Sequence, residues 1–304
     1  MVRGLRRTWL AASLALASLA LLTAAPTHAG SAHDRARQID GQPNSFYWAV
    51  LVGIDDYQGN TPDLTGSVND VRVMRDHLLS LGWRNDHIYV VTDKAATRDG
   101  ILRAIRWLAS KTNNRSAAIF HFSGHEWPMR TTADGDDEAR DVAIRTHENK
   151  FIIDGDLGRE MDRVVAHRFW IDMSLCRAGG FTDRGMIKPG RVLTFSSPES
   201  QLSYEDPSVR HSVFSYYAIA QGMRSGHADK NGDGQVSVEE AFWYSRMPVI
   251  NRTDGRQHPE IIDKLAGDFS ITPPAPKASQ EPRPTPSPTP SRTCVAGICL
   301  PAKV

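Results

Sequence analysis

Cysteine is scarce, with three residues in 304. That is too few for a disulfide-built scaffold, so the fold must rest on a packed core. Excess charge is missing too. Thirty-six Lys and Arg against 35 Asp and Glu give a formal net charge of +1, so there is no general basic field to hold nucleic acid. Beyond the N-terminal stretch, no apolar run approaches the roughly 20 residues of a membrane-spanning helix. Nucleic acid and a transmembrane anchor in the mature chain are therefore not expected.

The organisation follows from composition. Arg3, Arg6 and Arg7 precede an apolar stretch from Trp9 to Ala25 and then Thr27-His28-Ala29. Residues 1–29 thus read as a secretory signal peptide, which predicts a secreted or cell-surface-associated protein. Residues 41–272 mix aliphatic, aromatic and charged side chains in the proportions of one globular domain. Residues 273–292 form a Pro-rich, extended linker. In the short tail, 293–304, Cys294 and Cys299 are spaced to close a small disulfide loop, with two free thiols or an intermolecular link as alternatives. Cys176 is left without an obvious structural partner.

Within the domain, Trp48–Ile54 is a continuous apolar run, the pattern of a strand buried on both faces. Val68, Val71, Met74, Leu78 and Leu81 then recur at helical spacing, ending at Gly82. A strand over 87–92 and a helix from Thr97 follow. Ala117–Ser123, Arg168–Ser174 and Arg191–Ser197 supply further strands, with a helix expected between Leu157 and Val165. This alternation predicts an α/β fold: a three-layer sandwich with a mostly parallel sheet covered by helices on both faces. Functional groups in such sheets collect at the carboxyl ends of strands. Two candidates fall there: His125, after Phe122-Ser-Gly, and Cys176, after Ser174-Leu and before Arg-Ala-Gly-Gly. An imidazole that takes the proton of a thiol makes a nucleophile at neutral pH, so the pair predicts a cysteine hydrolase.

These residues resemble the caspase-like cysteine peptidases, and among them the bacterial, metacaspase-like branch. The resemblance rests on Val50–Ile54 with Tyr57, Leu64–Val71 with Asn69-Asp70, Phe122–His125, Ser174–Gly180 and Val213-Phe-Ser-Tyr-Tyr. It implies a caspase-like fold and an endopeptidase with Cys176 as nucleophile and His125 as base and acid. The reaction would hydrolyse peptide bonds of a peptide or protein substrate through an acyl-enzyme. It also implies that Asp70, Ser123 and the position held by Ser174 line the pocket for a basic side chain before the scissile bond. Two residues depart from the family pattern. Glu126 stands where Gly usually follows the histidine, and Ser174 stands where an Asp often precedes the cysteine, with Asp172 two residues earlier. The alternative is a catalytically silent caspase-fold module that binds a protein partner. Nothing in the sequence fixes the oligomeric state.

A second motif is independent of the first. Residues 229–240 fit a twelve-residue EF-hand loop: Asp229, Asn231, Asp233 and Ser237 at positions one, three, five and nine, and Glu240 at position twelve. Gly234 takes the sharp turn and Gln235 offers a backbone carbonyl. With helices expected over 214–223 and 238–247, the loop predicts bound Ca2+. A second acidic run, Asp134–Asp141, reads as a solvated loop; the resemblance would make it, with Asp183, a further calcium site.

Overall fold

The computed structural model describes residues 43–130, 141–183 and 185–273, together with the backbone at 294–295 and 298–299. The chain divides into two compact units, Met1–Asp40 and Gly41–Val304, and every described residue lies in the second. The signal peptide lies outside the described residues, as do most of the linker and tail. In the tail, β12 (Cys294–Val295) and β13 (Ile298–Cys299) pair antiparallel with Cys294 opposite Cys299.

The main sheet has the order β11-β8-β7-β3-β1-β2. Its members are β1 (Tyr47–Gly53), β2 (Ile88–Thr92), β3 (Ala117–Ser123), β7 (Arg168–Ser174), β8 (Arg191–Phe195) and the edge strand β11 (Glu260–Asp263). All neighbours are parallel except β11, which runs antiparallel to β8. This is the mostly parallel α/β arrangement expected. Residue alternation divides the core in two. Val50, Val52, Phe120, Phe122, Ile171 and Met173 face helices α2 (Arg98–Lys111) and α3 (Asp154–Asp162). Ala49, Leu51, Ile119 and Trp170 face α1 (Ser67–Ser80), the segment 213–224 and α5 (Val238–Arg252).

Differences from the sequence reading are local. Helix α3 starts at Asp154, three residues before the expected Leu157, because Asp154 opens the first turn and takes the N–H groups of Val142 and Gly155. The segment expected as an ordinary helix over 214–223 is one α-turn, α4 (Val213–Ser215), that runs on into a π-helix, Tyr216–Arg224. A small antiparallel sheet was not foreseen: β4 (Glu126–Met129), β5 (Asp141–Arg145) and β6 (Phe151–Ile153). Its strands are too short to carry a clear period of two. A two-residue ladder, β9 (Glu205–Asp206) with β10 (His211–Ser212), closes a loop over the carboxyl end of the main sheet.

The chain leaves β1 toward β2 on one side and returns to β3 on the other, so the sheet reverses direction between β1 and β3. Parallel sheets open a crevice at such a point. Gly53 lets α1 approach there, since a Cβ at this position would stand 2.5 Å from the Ser67 carbonyl oxygen. The first turn of α1 has no side-chain cap of its own. Asp55 accepts its Ser67 and Val68 N–H groups instead, at 2.8 and 3.3 Å, which fixes the helix over the ends of β3 and β7.

Candidate active site

His125 follows β3 and Cys176 follows β7, adjacent strands whose last residues, Ser123 and Ser174, pair in register. Both side chains line one cleft of about 190 Å3, with Leu64, Ser67, Ser203, Tyr204, Glu205 and Ser212 among its walls. His125 is held from three directions. Its backbone N–H donates to the Tyr57 hydroxyl at 2.7 Å, its ring tilts over Tyr57 with centroids 4.8 Å apart, and Nε2 lies 2.9 Å from the Pro62 carbonyl oxygen. A carbonyl can only accept, so Nε2 carries the proton and Nδ1 keeps its lone pair free to act as a base. Burial pushes the imidazole below its ordinary value, so it is neutral around pH 7. Gly124 makes the Tyr57 contact possible, because a Cβ there would fall 2.7 Å from the hydroxyl oxygen.

Cys176 is a free, half-buried thiol. Its sulfur receives the Ser203 N–H at 3.4 Å and lies 3.6 Å from the Ser203 carbonyl oxygen. Burial raises the thiol above its ordinary value, and Glu126 adds to the rise; the Ser203 N–H and Arg177 oppose it. No hydrogen bond joins Cys176 to His125 among the described residues. The resting pair is therefore a neutral thiol and a neutral imidazole facing the same space.

Asp70, on the first turn of α1, reaches the floor of the cleft and is fully buried. It accepts Ser123 Oγ at 2.8 Å and the Ser212 N–H at 3.3 Å on one oxygen, and contacts His211 Nδ1 at 2.7 Å with the other. Asn69 Nδ2, which can only donate, sits 2.9 Å from His211 Nε2. His211 is thereby fixed as the neutral tautomer that donates from Nδ1, and Asp70 keeps its negative charge. Ser174 does not touch Asp70 directly; its hydroxyl bonds that of Ser212 at 2.8 Å. Asp172, on the same face of β7 one pleat deeper, is committed elsewhere. It pairs with His121 Nδ1 at 2.6 Å and accepts Thr194 Oγ1, both in the core. Asp172 therefore cannot stand in for a carboxylate at position 174.

Asp70, Ser123 and Ser174 thus gather at one floor beside Cys176 and His125. The sequence reading missed Pro62, Ser203, Glu205, His211 and Ser212. They come from loops 27 to 142 residues away from the groups they touch, and no local spacing announces them. Glu205 accepts the Thr65 and Gly66 N–H groups at 3.0 and 2.9 Å and adds a second acid to the wall.

The EF-hand-like loop lies apart from this cleft. Asp229 accepts from Gly232 and Gly234 N–H, Asn231 from Asp233, Asp233 from Gln235, and Glu240 from Lys230, Asn231 and Ser237. Gly232 and Gly234 take positive φ, as the tight turn requires. Ser237 and Glu240 also form a reciprocal capping box at the start of α5, which accounts for both residues without an ion. The carboxylates are turned onto the loop's own N–H groups, and no three His, Cys, Asp or Glu side chains converge as a metal site among the described residues. The donor set of carboxylates, an amide and a hydroxyl nevertheless suits a hard cation. The acidic run 134–140 lies outside the described residues.

A six-stranded α/β sheet with a Cys and a His at neighbouring strand ends defines a class of cysteine hydrolases. Residues 47–270 match the family model of the caspase domain, and the chain belongs to that family of caspase-like cysteine peptidases. It is 31 % identical to metacaspase-3 of Arabidopsis thaliana over 152 residues, covering 46 % of this chain and 41 % of that protein. It is 34 % identical to metacaspase-1 of Scheffersomyces stipitis over 217 residues, with 64 % and 53 % covered. It is 27 % identical to metacaspase-1 of Schizosaccharomyces pombe over 245 residues, with 73 % and 56 % covered. The chain thus spans about half the length of these relatives. A solved protein from Geobacter sulfurreducens shares the fold, with a TM-score of 0.55 at 15 % identity, over 73 % of this chain and 94 % of that one.

Proposed function

We propose that this chain is a cysteine endopeptidase that cleaves after Arg or Lys. The reading is carried by the anionic floor: Asp70, buried and charged, lies at the base of the cleft that also holds Cys176 and His125. A guanidinium or ammonium group reaching that floor would meet Asp70 and the hydroxyls of Ser123, Ser174 and Ser212, with Glu205 on the wall. Proton transfer from Cys176 Sγ to His125 Nδ1 gives a thiolate that attacks the scissile carbonyl carbon. The imidazolium returns the proton to the leaving amine, and water then hydrolyses the thioester. His125, neutral at rest, is suited to be the acceptor in the first step. Export is part of the proposal, on the strength of the composition of residues 1–29.

Calcium is proposed for the loop 229–240. Asp229, Asn231, Asp233, Gln235, Ser237 and Glu240 would hold it, and the ion would supply a fixed positive charge that neutralises the loop's carboxylates. Terbium luminescence sensitised by the protein, and a rise of the melting temperature on adding Ca2+ that is lost in Glu240→Ala, are the expected signs. A melting temperature indifferent to Ca2+ and to chelator overturns this assignment.

A panel of fluorogenic peptides with Arg, Lys, Asp or a neutral residue before the scissile bond tests the activity. Turnover after Arg and Lys that vanishes in Cys176→Ala is expected. The raised thiol and the missing Cys–His hydrogen bond favour one competitor, a silent binding module. No turnover by the folded chain, with or without Ca2+ and reductant, would select it.

A further inference from the structure

Each catalytic candidate is followed by a charged residue, and the two charges meet. Glu126, directly after His125, starts β4; Arg177, directly after Cys176, opens the turn Ala178–Gly180. Glu126 Oε2 lies 2.9 Å from Arg177 Nη1, with the Glu126 side chain 1 % exposed and that of Arg177 35 %. The other carboxylate oxygen of Glu126 is buried with no hydrogen-bond partner. Arg177 itself holds a left-handed backbone at φ 50°, a conformation that a residue with a side chain adopts at a cost. Hydrogen bonds from its N–H to Gln201 O, and from Gly180 N–H to its own carbonyl, both at 2.9 Å, fix that turn. A buried carboxylate with one partner and a strained turn beside the nucleophile are not explained by packing alone.

We propose that Glu126 and Arg177 form a positioning pair, which ties the turn bearing His125 to the turn bearing Cys176 and commits the Arg177 charge to a carboxylate instead of to the sulfur. This inference rests on Cys176 being the nucleophile. The pair spans the two strand ends whose separation sets the thiol–imidazole geometry, where small displacements are costly in rate. It also balances the local field. The charged and titratable groups around the sulfur are His125, Glu126, Arg177, Glu205 and, at the floor, Asp70; on its other side Arg177 borders a cleft with Asp141, Glu199, Glu260 and Arg130. Glu126 opposes ionisation of the thiol and Arg177 favours it, so loss of the carboxylate alone would leave the cation acting on the sulfur unopposed. Loss of the arginine has a different consequence. The buried Glu126, already pushed upward by desolvation, would take up a proton, and both charges would disappear together.

The test is the pH dependence of iodoacetamide alkylation of Cys176 in the full chain, measured without substrate so that it reads the thiol whether or not the peptidase reading holds. Glu126→Gln is expected to move the midpoint about one pH unit lower, while lowering kcat about tenfold with little change in KM. Arg177→Gln should leave the midpoint unchanged or move it higher, and Glu126→Gln added to Arg177→Gln should have no further effect. Far-ultraviolet circular dichroism and melting temperature check that each variant is folded; should Glu126→Gln fail to fold, Glu126→Asp, which keeps the charge, replaces it and should restore the wild-type midpoint while lowering kcat. An unchanged midpoint in folded Glu126→Gln, or a downward shift that persists without Arg177, overturns the proposal. Altered alkylation with no turnover by the wild type would instead sink the peptidase reading and leave the pair standing.

Discussion

At the scale of residues, function turns on which groups are charged at rest. Cys176 is buried enough to hold its proton, so its alkylation midpoint should lie above the roughly 8.5 of a free cysteine. A midpoint at or below that value would contradict the environment described. Asp70 is the anion of the floor, and a hydrogen bond to a charged group contributes about 1.5–3 kcal/mol. Asp70→Asn should thus lower kcat/KM toward Arg and Lys substrates by about ten- to a hundredfold while sparing any neutral substrate, as peptide kinetics would reveal. The His121–Asp172 pair lies in the core on the same face of the sheet, beneath the pocket floor. His121→Leu leaves the Asp172 carboxylate with Thr194 as its remaining side-chain partner, and should cost about 3–5 kcal/mol in urea denaturation. A loss below 1 kcal/mol would mean that the pair is dispensable.

At the scale of elements, helix ends carry the site. Helix α1 borrows its first-turn acceptors from Asp55, and the Thr65 and Gly66 N–H groups before it go to Glu205. Burial, reinforced by Glu205 and Asp93, raises Asp55 to about 6. Its proton is held more tightly in the folded chain than in the unfolded one, where the carboxyl titrates near 3.9. Stability from this group is therefore present at low pH and lost as pH rises from about 4 through 6. Asp55→Asn should flatten that part of the melting-temperature profile, and an unaltered slope would place the titration elsewhere. At α5 the cap is self-contained: Ser237→Ala removes the capping box and should cost about 1 kcal/mol even in chelator.

Across the whole molecule, the sheet brings distant segments to one place. Much of this was legible beforehand. The apolar runs at 48–54, 117–123 and 168–174 are long and flanked by turns, so the strands were readable, and Cys176 and His125 followed from their places just beyond those runs. Ser123 and Ser174 share a register position as soon as β3 and β7 are neighbours. The loops were not readable. Ser203 meets Cys176, Pro62 meets His125, and His211 meets Asp70 because β9 and β10 fold over the sheet end, and two-residue strands leave no periodic trace. Glu126 looked like a departure from a glycine; with Arg177 in reach it becomes a buried ion pair.

By itself the sequence determined the alternation of strands and helices, the strand ends where chemistry collects, and the residue types placed there. Those are local properties, set by side-chain periodicity and turn chemistry within short windows. Only the tertiary structure decided the resting state of the site: a thiol turned to Ser203, an imidazole held by Pro62, a floor carboxylate kept charged by a neutral His211, and Asp172 withdrawn into the core. These depend on desolvation and on hydrogen bonds between segments far apart in the chain, which exist only once the sheet has closed its crevice.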